Sequence, residues 1–148
     1  MKYLTLPLVL FSGSLIAATD TTSEIMSAVE EEQQAFESGN CDKVESMMSK
    51  DITFYANGRK MSHEQVGKFC RSIPRPFGAG RSPIDDTTNA YKIDENLGYT
   101  IRDFKWHDKD ERVVHEVVTK IWAKGDHGWK IIHFQSTVLP VMRPPKKS

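Results

Sequence analysis

The chain has 148 residues, enough for one domain with a real core and too few for two. Lys+Arg and Asp+Glu balance at 20 each, so net charge gives no reason to expect nucleic acid or an anionic membrane surface as partner. A hydrophobic content of 39% is ordinary for a globular protein and argues against general disorder.

The first segment reads as a cleavable secretion signal, residues 1–18. Lys2 supplies one positive charge, Tyr3 to Ile16 is almost wholly apolar, and Ala17-Ala18 offers small residues for cleavage before Thr19-Asp20. The apolar run is shorter than the roughly 20 residues that span a bilayer. A secreted or periplasmic location is therefore expected, with no membrane contact after cleavage. An oxidising compartment makes Cys41 and Cys70 a disulfide rather than two buried thiols.

A single domain over 19–142 follows. A first helix is expected from Ser23 to Ser38, with Thr21 and Glu24 as a capping box, Ile25, Val29 and Phe36 inward, and Glu30, Glu31 and Glu32 on the remaining faces. Gly39 ends it, and Asn40 caps a second helix whose apolar stripe is Val44, Met47 and Met48. Asp51 to Ala56 is β-branched and aromatic, and Asn57-Gly58 closes it with a turn. Ser62 and Gln65 make a capping box for a third helix, His63 to Arg71. Proline and glycine make Ser72 to Pro83 a loop. Strands are expected over Thr87–Ile93, Leu97–His107, Arg112–Ala123 and Trp129–Leu139, joined by short polar turns as antiparallel hairpins. The tail 143–148 is polar and expected to be disordered.

Helices gathered before a long meander define an α+β class, one antiparallel sheet with helices on one face. A strongly curved sheet around three helices leaves a cavity at its open end.

Several strings resemble the nuclear transport factor 2-like superfamily, within it the SnoaL-like proteins and the association domain of calcium/calmodulin-dependent kinase II. Ser38-Gly39-Asn40-Cys41-Asp42 is similar to the corner between the first two helices of that family, and Asp51-Ile52-Thr53-Phe54 to its first strand. The fullest match is Thr119-Lys120-Ile121-Trp122 followed by Gly128-Trp129-Lys130-Ile131-Ile132-His133-Phe134-Gln135-Ser136, with Ile101-Arg102-Asp103 similar to a further segment. The resemblance implies a cone-shaped half-barrel of the cystatin-like kind, commonly a homodimer through its sheet. Of the three pocket arginines of the association domain, one falls on Arg102, the second on Lys120, and the third on Ser136, a departure from the pattern.

Alternation along the strands places Thr100, Arg102, Phe104 and Trp106 on one face, with Val114, Glu116, Val118, Lys120 and Trp122 on a shared face of the next strand. On the last strand Lys130, Ile132, Phe134 and Ser136 alternate with Trp129, Ile131 and His133. The expected ligand-binding residues are Arg102, Lys120, Trp106, Phe134 and Ser136, facing a small organic ligand, anions included. Arg102 and Glu116 as a structural ion pair is the competing reading. Ketosteroid-isomerase-like members use a pocket carboxylate base, so Glu116 with Tyr55 as donor is the catalytic candidate for an isomerase or lyase. No specific motif carries that assignment, and a protein-interaction module without catalysis remains a third reading. The five histidines lack metal-ligand spacing, and neither a metal nor a cofactor is expected.

Overall fold

The computed structural model describes residues 20–139. The expected leader and the polar tail lie outside them. Among the described residues the elements are α1 (Thr21–Ser38), α2 (Cys41–Ser46), β1 (Met48–Ala56), β2 (Arg59–Met61), α3 (His63–Ser72), β3 (Ser82–Lys92), β4 (Leu97–His107), β5 (Val113–Gly125) and β6 (Gly128–Leu139). The strands form one curved, unclosed sheet in the order β2-β1-β6-β5-β4-β3, an α+β half-barrel.

The helix signals act at the ends. Gly39 takes φ +79°, the left-handed conformation that terminates α1, with its N–H on Phe36 O and the Asn40 N–H on Ala35 O. Asn40 then accepts from Lys43 N at 3.2 Å to cap α2. The capping box of α3 is complete, Ser62 Oγ accepting from Gln65 N and Gln65 Oε1 from Ser62 N. The start of α1 differs from expectation. Asp20 is its N-cap residue, and Thr21, buried, is already in the first turn.

Three further differences bear on the cavity. Met48 opens β1 instead of closing α2, because Met47 already caps that helix. The hairpin after Asn57-Gly58 carries a short strand, β2, which the charged pair Arg59-Lys60 concealed. The sheet is not antiparallel throughout: β1 lies parallel to β6, from Thr53↔His133 to Ala56↔Ser136. This pairing brings the first strand beside the last, although β2, α3 and β3 to β5 lie between them in sequence. At the other edge β3 begins five residues earlier than expected, at Ser82 rather than Thr87. Pro83 is accommodated there because an edge strand leaves one row of backbone groups unpaired, and the register shifts between Pro83 and Asp85.

Six residues of the core decide how the layers meet. Ile25 and Ala28 of α1, Val44 of α2 and Cys70 of α3 pack over Trp122 and Ile131 of the sheet, each buried. Gly98 lets α1 approach β4, since a Cβ there would lie 2.4 Å from Ile25 Cδ1 and 2.7 Å from the Tyr91 carbonyl oxygen. The Cys41–Cys70 disulfide ties the first residue of α2 to α3.

Candidate functional site

A cavity of about 680 Å³ lies between the helices and the concave face of the sheet. That size falls within the roughly 300–1,000 Å³ usual for small-molecule sites. Its wall is mostly apolar: Val29 and Phe36 come from α1, Met48 and Phe54 from β1, and Val118 and Phe134 from β5 and β6. Phe54 and Phe134 stack across the parallel pair with centroids 4.0 Å apart.

Register explains which side chains reach the cavity. Along β5, Glu116, Val118 and Lys120 point inward, opposite Val138, Ser136 and Phe134 of β6. Nearer the closed end the pairing slips: Ile121 faces His133, but Trp122 faces Ile131. Ile132 is thus an extra residue, a bulge. Strict alternation put Ile132 on the face of Phe134, and the bulge reverses this. Ile131 and Ser136 are buried and Phe134 half-buried on the concave side, while Ile132 is exposed.

Of the residues singled out from sequence, Arg102, Glu116, Lys120, Phe134 and Ser136 line this one cavity. Two others do not. Trp106 is buried beyond it, stacked on Phe104 at 4.7 Å and covered by the Arg81 guanidinium at 4.7 Å. Tyr55 lies between Phe54 and Ala56, both of which line the cavity, so its ring is on the opposite, convex face. It cannot donate to a ligand beside Glu116.

The charged groups deep in the wall are satisfied within the protein. Lys120 Nζ donates to Glu32 Oε2. Their side chains are only 15% and 8% exposed, and the ammonium also lies 5.7 Å from the Phe134 ring centre. Arg102 forks onto Asp86, Nε to Oδ1 at 2.6 Å and Nη2 to Oδ2 at 2.5 Å. Hydrogen bonding to Asp86 first, and the nearby negative charges of Asp86, Glu116 and Glu37, raise the Arg102 pKa above its ordinary value against the opposing effect of burial. Glu116 is not the ion-pair partner of Arg102; its Oε1 accepts from the Ser136 hydroxyl. Deeper still, the buried Trp122 Nε1–H donates to Thr100 Oγ1 at 3.0 Å.

Sequence reasoning missed both carboxylates that hold the basic pair. Glu32, expected on the outer faces of α1, is only 6% exposed. The signal was present: Glu32 follows Ile25 by seven residues and Val29 by three, which is the buried stripe. Asp86 sits in β3, between the expected loop Ser72 to Pro83 and the strand expected from Thr87, and reaches Arg102 diagonally because Asp86 faces Phe104 in the register. Among the described residues no group of three or more His, Cys, Asp or Glu is arranged to hold a metal ion.

The convex face carries a separate set. His115 Nε2 lies 3.0 Å from Asp103 Oδ1, and Thr53 Oγ1 lies 2.8 Å from His133 Nδ1. Ile101, Val117 and Ile121 are half-buried on that side.

This architecture defines a nuclear transport factor 2-like, cystatin-like fold. Solved structures support that at low sequence identity. A putative calcium/calmodulin-dependent protein kinase II association domain from Xanthomonas campestris superposes with a TM-score of 0.62 at 19% identity, covering 86% of this chain and 94% of the other. A nuclear transport factor 2-like protein from Cytophaga hutchinsonii gives 0.59 at 12% identity, over 82% and 100%. A ketosteroid isomerase-like protein from Erwinia carotovora atroseptica gives 0.55 at 11%, over 82% and 98%. No family model matches the chain, and no curated protein matches it. The likeness is one of fold.

Proposed function

We propose that this chain is an exported, homodimeric protein of SnoaL-like type that binds a small organic ligand in its cone and catalyses no reaction. One observation carries the reading: a cavity of about 680 Å³ with stacked aromatic and aliphatic walls, into which a few polar side chains converge. Its deep basic groups, Lys120 and Arg102, are engaged with Glu32 and Asp86, so polar recognition falls to the Glu116–Ser136 pair and to the edges of the wall.

Export is supported by the leader-like segment and by the bridged cysteines, since disulfides persist in oxidising compartments. Dimerisation through the convex face is supported by the half-buried Ile101, Val117 and Ile121, apolar side chains on a sheet face away from the helices.

The test is native mass spectrometry of protein expressed with residues 1–18 in place. A cleaved, oxidised dimer retaining an extra small mass is the expected result. A ligand-free monomer that takes up no apolar probe would overturn it. A second reading, an isomerase or lyase, is favoured by one observation, a carboxylate on the cavity wall hydrogen-bonded to a hydroxyl. Turnover of a ketosteroid that disappears in Glu116→Gln would establish it; loss of Tyr55 would then have no effect.

A further inference from the structure

The deep cations are engaged, whereas those at the entrance are not. Arg59, Lys60 and Arg81 all line the cavity and are all exposed, which places them where it opens to solvent. Among the described residues none of the three has an ion pair or a side-chain hydrogen bond; Arg81 rests on the rings of Phe77 at 5.0 Å and Trp106 at 4.7 Å. One exposed carboxylate, Glu37, shares the entrance and accepts from Gln33 Nε2 at 2.9 Å.

The platform for two of these cations is rigid. Arg59 and Lys60 follow the Asn57-Gly58 turn, whose residues both have positive φ (49° and 77°), the pairing of a tight two-residue hairpin. Asn57 Oδ1 accepts from Val138 N at 2.8 Å, which fixes the hairpin tip to β6. Below the cations the entrance is apolar. Phe69 lines the cavity and is 49% exposed, a large ring left facing solvent where cavity and exterior meet.

A cationic rim over an apolar interior is complementary to a molecule with an anionic head and an apolar tail. We infer that the ligand is a single-chain anionic amphiphile, of the fatty-acid class, with its carboxylate between Arg59 and Arg81 and its chain along Phe69 toward Phe54 and Phe134. The inference rests on the cavity-binding reading and reverses the orientation expected from Arg102 and Lys120. An anion at depth would have to displace Glu32, leaving a buried carboxylate uncompensated, or break the fork of Asp86 on Arg102. An anion at the rim displaces only water.

Calorimetry with octanoate, octanol and octyltrimethylammonium, three molecules of one chain length, tests the orientation. Octanoate is expected to bind most tightly, by about tenfold over octanol, the scale of two solvent-facing ion pairs. That advantage should shrink in Arg59→Gln, an exposed position, and vanish at high ionic strength. Glu37→Gln should strengthen octanoate binding. Equal binding of octanoate and octanol, indifferent to the hairpin variant, would overturn the inference and leave the cavity reading standing. Octanoate binding lost in Lys120→Met but kept in the hairpin variant would place the head at depth and also overturn it. Binding to anionic vesicles without binding to octanoate would make the rim a membrane contact instead. Failure of all three probes would remove the cavity reading itself.

Discussion

Arg102 and Asp86 meet diagonally at the edge of the sheet as a forked pair, two hydrogen bonds of 2.6 and 2.5 Å between adjacent strands β4 and β3. A guanidinium held in this way is oriented but not available. Asp86→Asn removes the charge that holds it and leaves Arg102 on the cavity wall without a carboxylate partner. The variant should bind benzoate, a compact anion, about tenfold more tightly than the parent, while losing about 1 kcal/mol of stability for a partly exposed pair. Unchanged benzoate affinity by calorimetry would mean that Arg102 does not address the cavity.

Lys120 and Glu32 join β5 to α1 in a drier setting. Truncating one member of a buried pair leaves the other charge uncompensated, which costs roughly 3–5 kcal/mol. Lys120→Met should therefore lower the urea midpoint sharply. The double variant Lys120→Met/Glu32→Leu should recover most of the loss, because it removes both desolvation penalties together. A single variant as stable as the parent would show that the pair is solvated in solution.

Much of this could be read before the structure. The caps at Gly39, Asn40 and Ser62, and the strands β4 to β6, follow from local chemistry: left-handed backbone, side-chain acceptors, period-two alternation. So does the shared face of Glu116, Val118 and Lys120. What escaped was non-local. The parallel pairing of β1 with β6 joins segments some 80 residues apart, and no local pattern encodes it. The bulge at Ile132 is invisible in a run of apolar residues, yet it moves Ile131 to the concave side. Tyr55 was misplaced because the inward face of β1 is set by Ile52 and Phe54, one residue out of phase with it. Glu32 was hidden by its neighbours Glu30 and Glu31, which are exposed as a charge run suggests.

The Cys41–Cys70 bridge spans 29 residues of sequence and joins α2 to α3 beside the cavity wall at Val44 and Val66. Cross-linking a loop of that length restricts the unfolded chain by about 3–4 kcal/mol on the chain-entropy account. Cys41→Ala/Cys70→Ala should lower Tm by on the order of 10 °C. Differential scanning calorimetry of oxidised protein, reduced protein and the double variant checks this. A variant melting with the oxidised parent would show that the bridge adds nothing to the packing of Val44 and Cys70 against the core.

On the convex face, the Asp103 carboxylate is held below the usual aspartate range, chiefly by its hydrogen bond with His115 and further by the positive charges of His115 and Lys105. A depressed carboxylate pKa contributes stability that is complete above the unfolded value, near 3.9, and is lost as pH falls through the folded value. The window therefore lies in the acid limb, below about pH 4. Carbon-detected NMR titration should show the Asp103 carboxyl titrating below an ordinary aspartate, and returning to the ordinary range in His115→Gln with Lys105→Gln. A titration at the ordinary aspartate value, the same in parent and variant, would mean that Asp103 and His115 do not meet in solution.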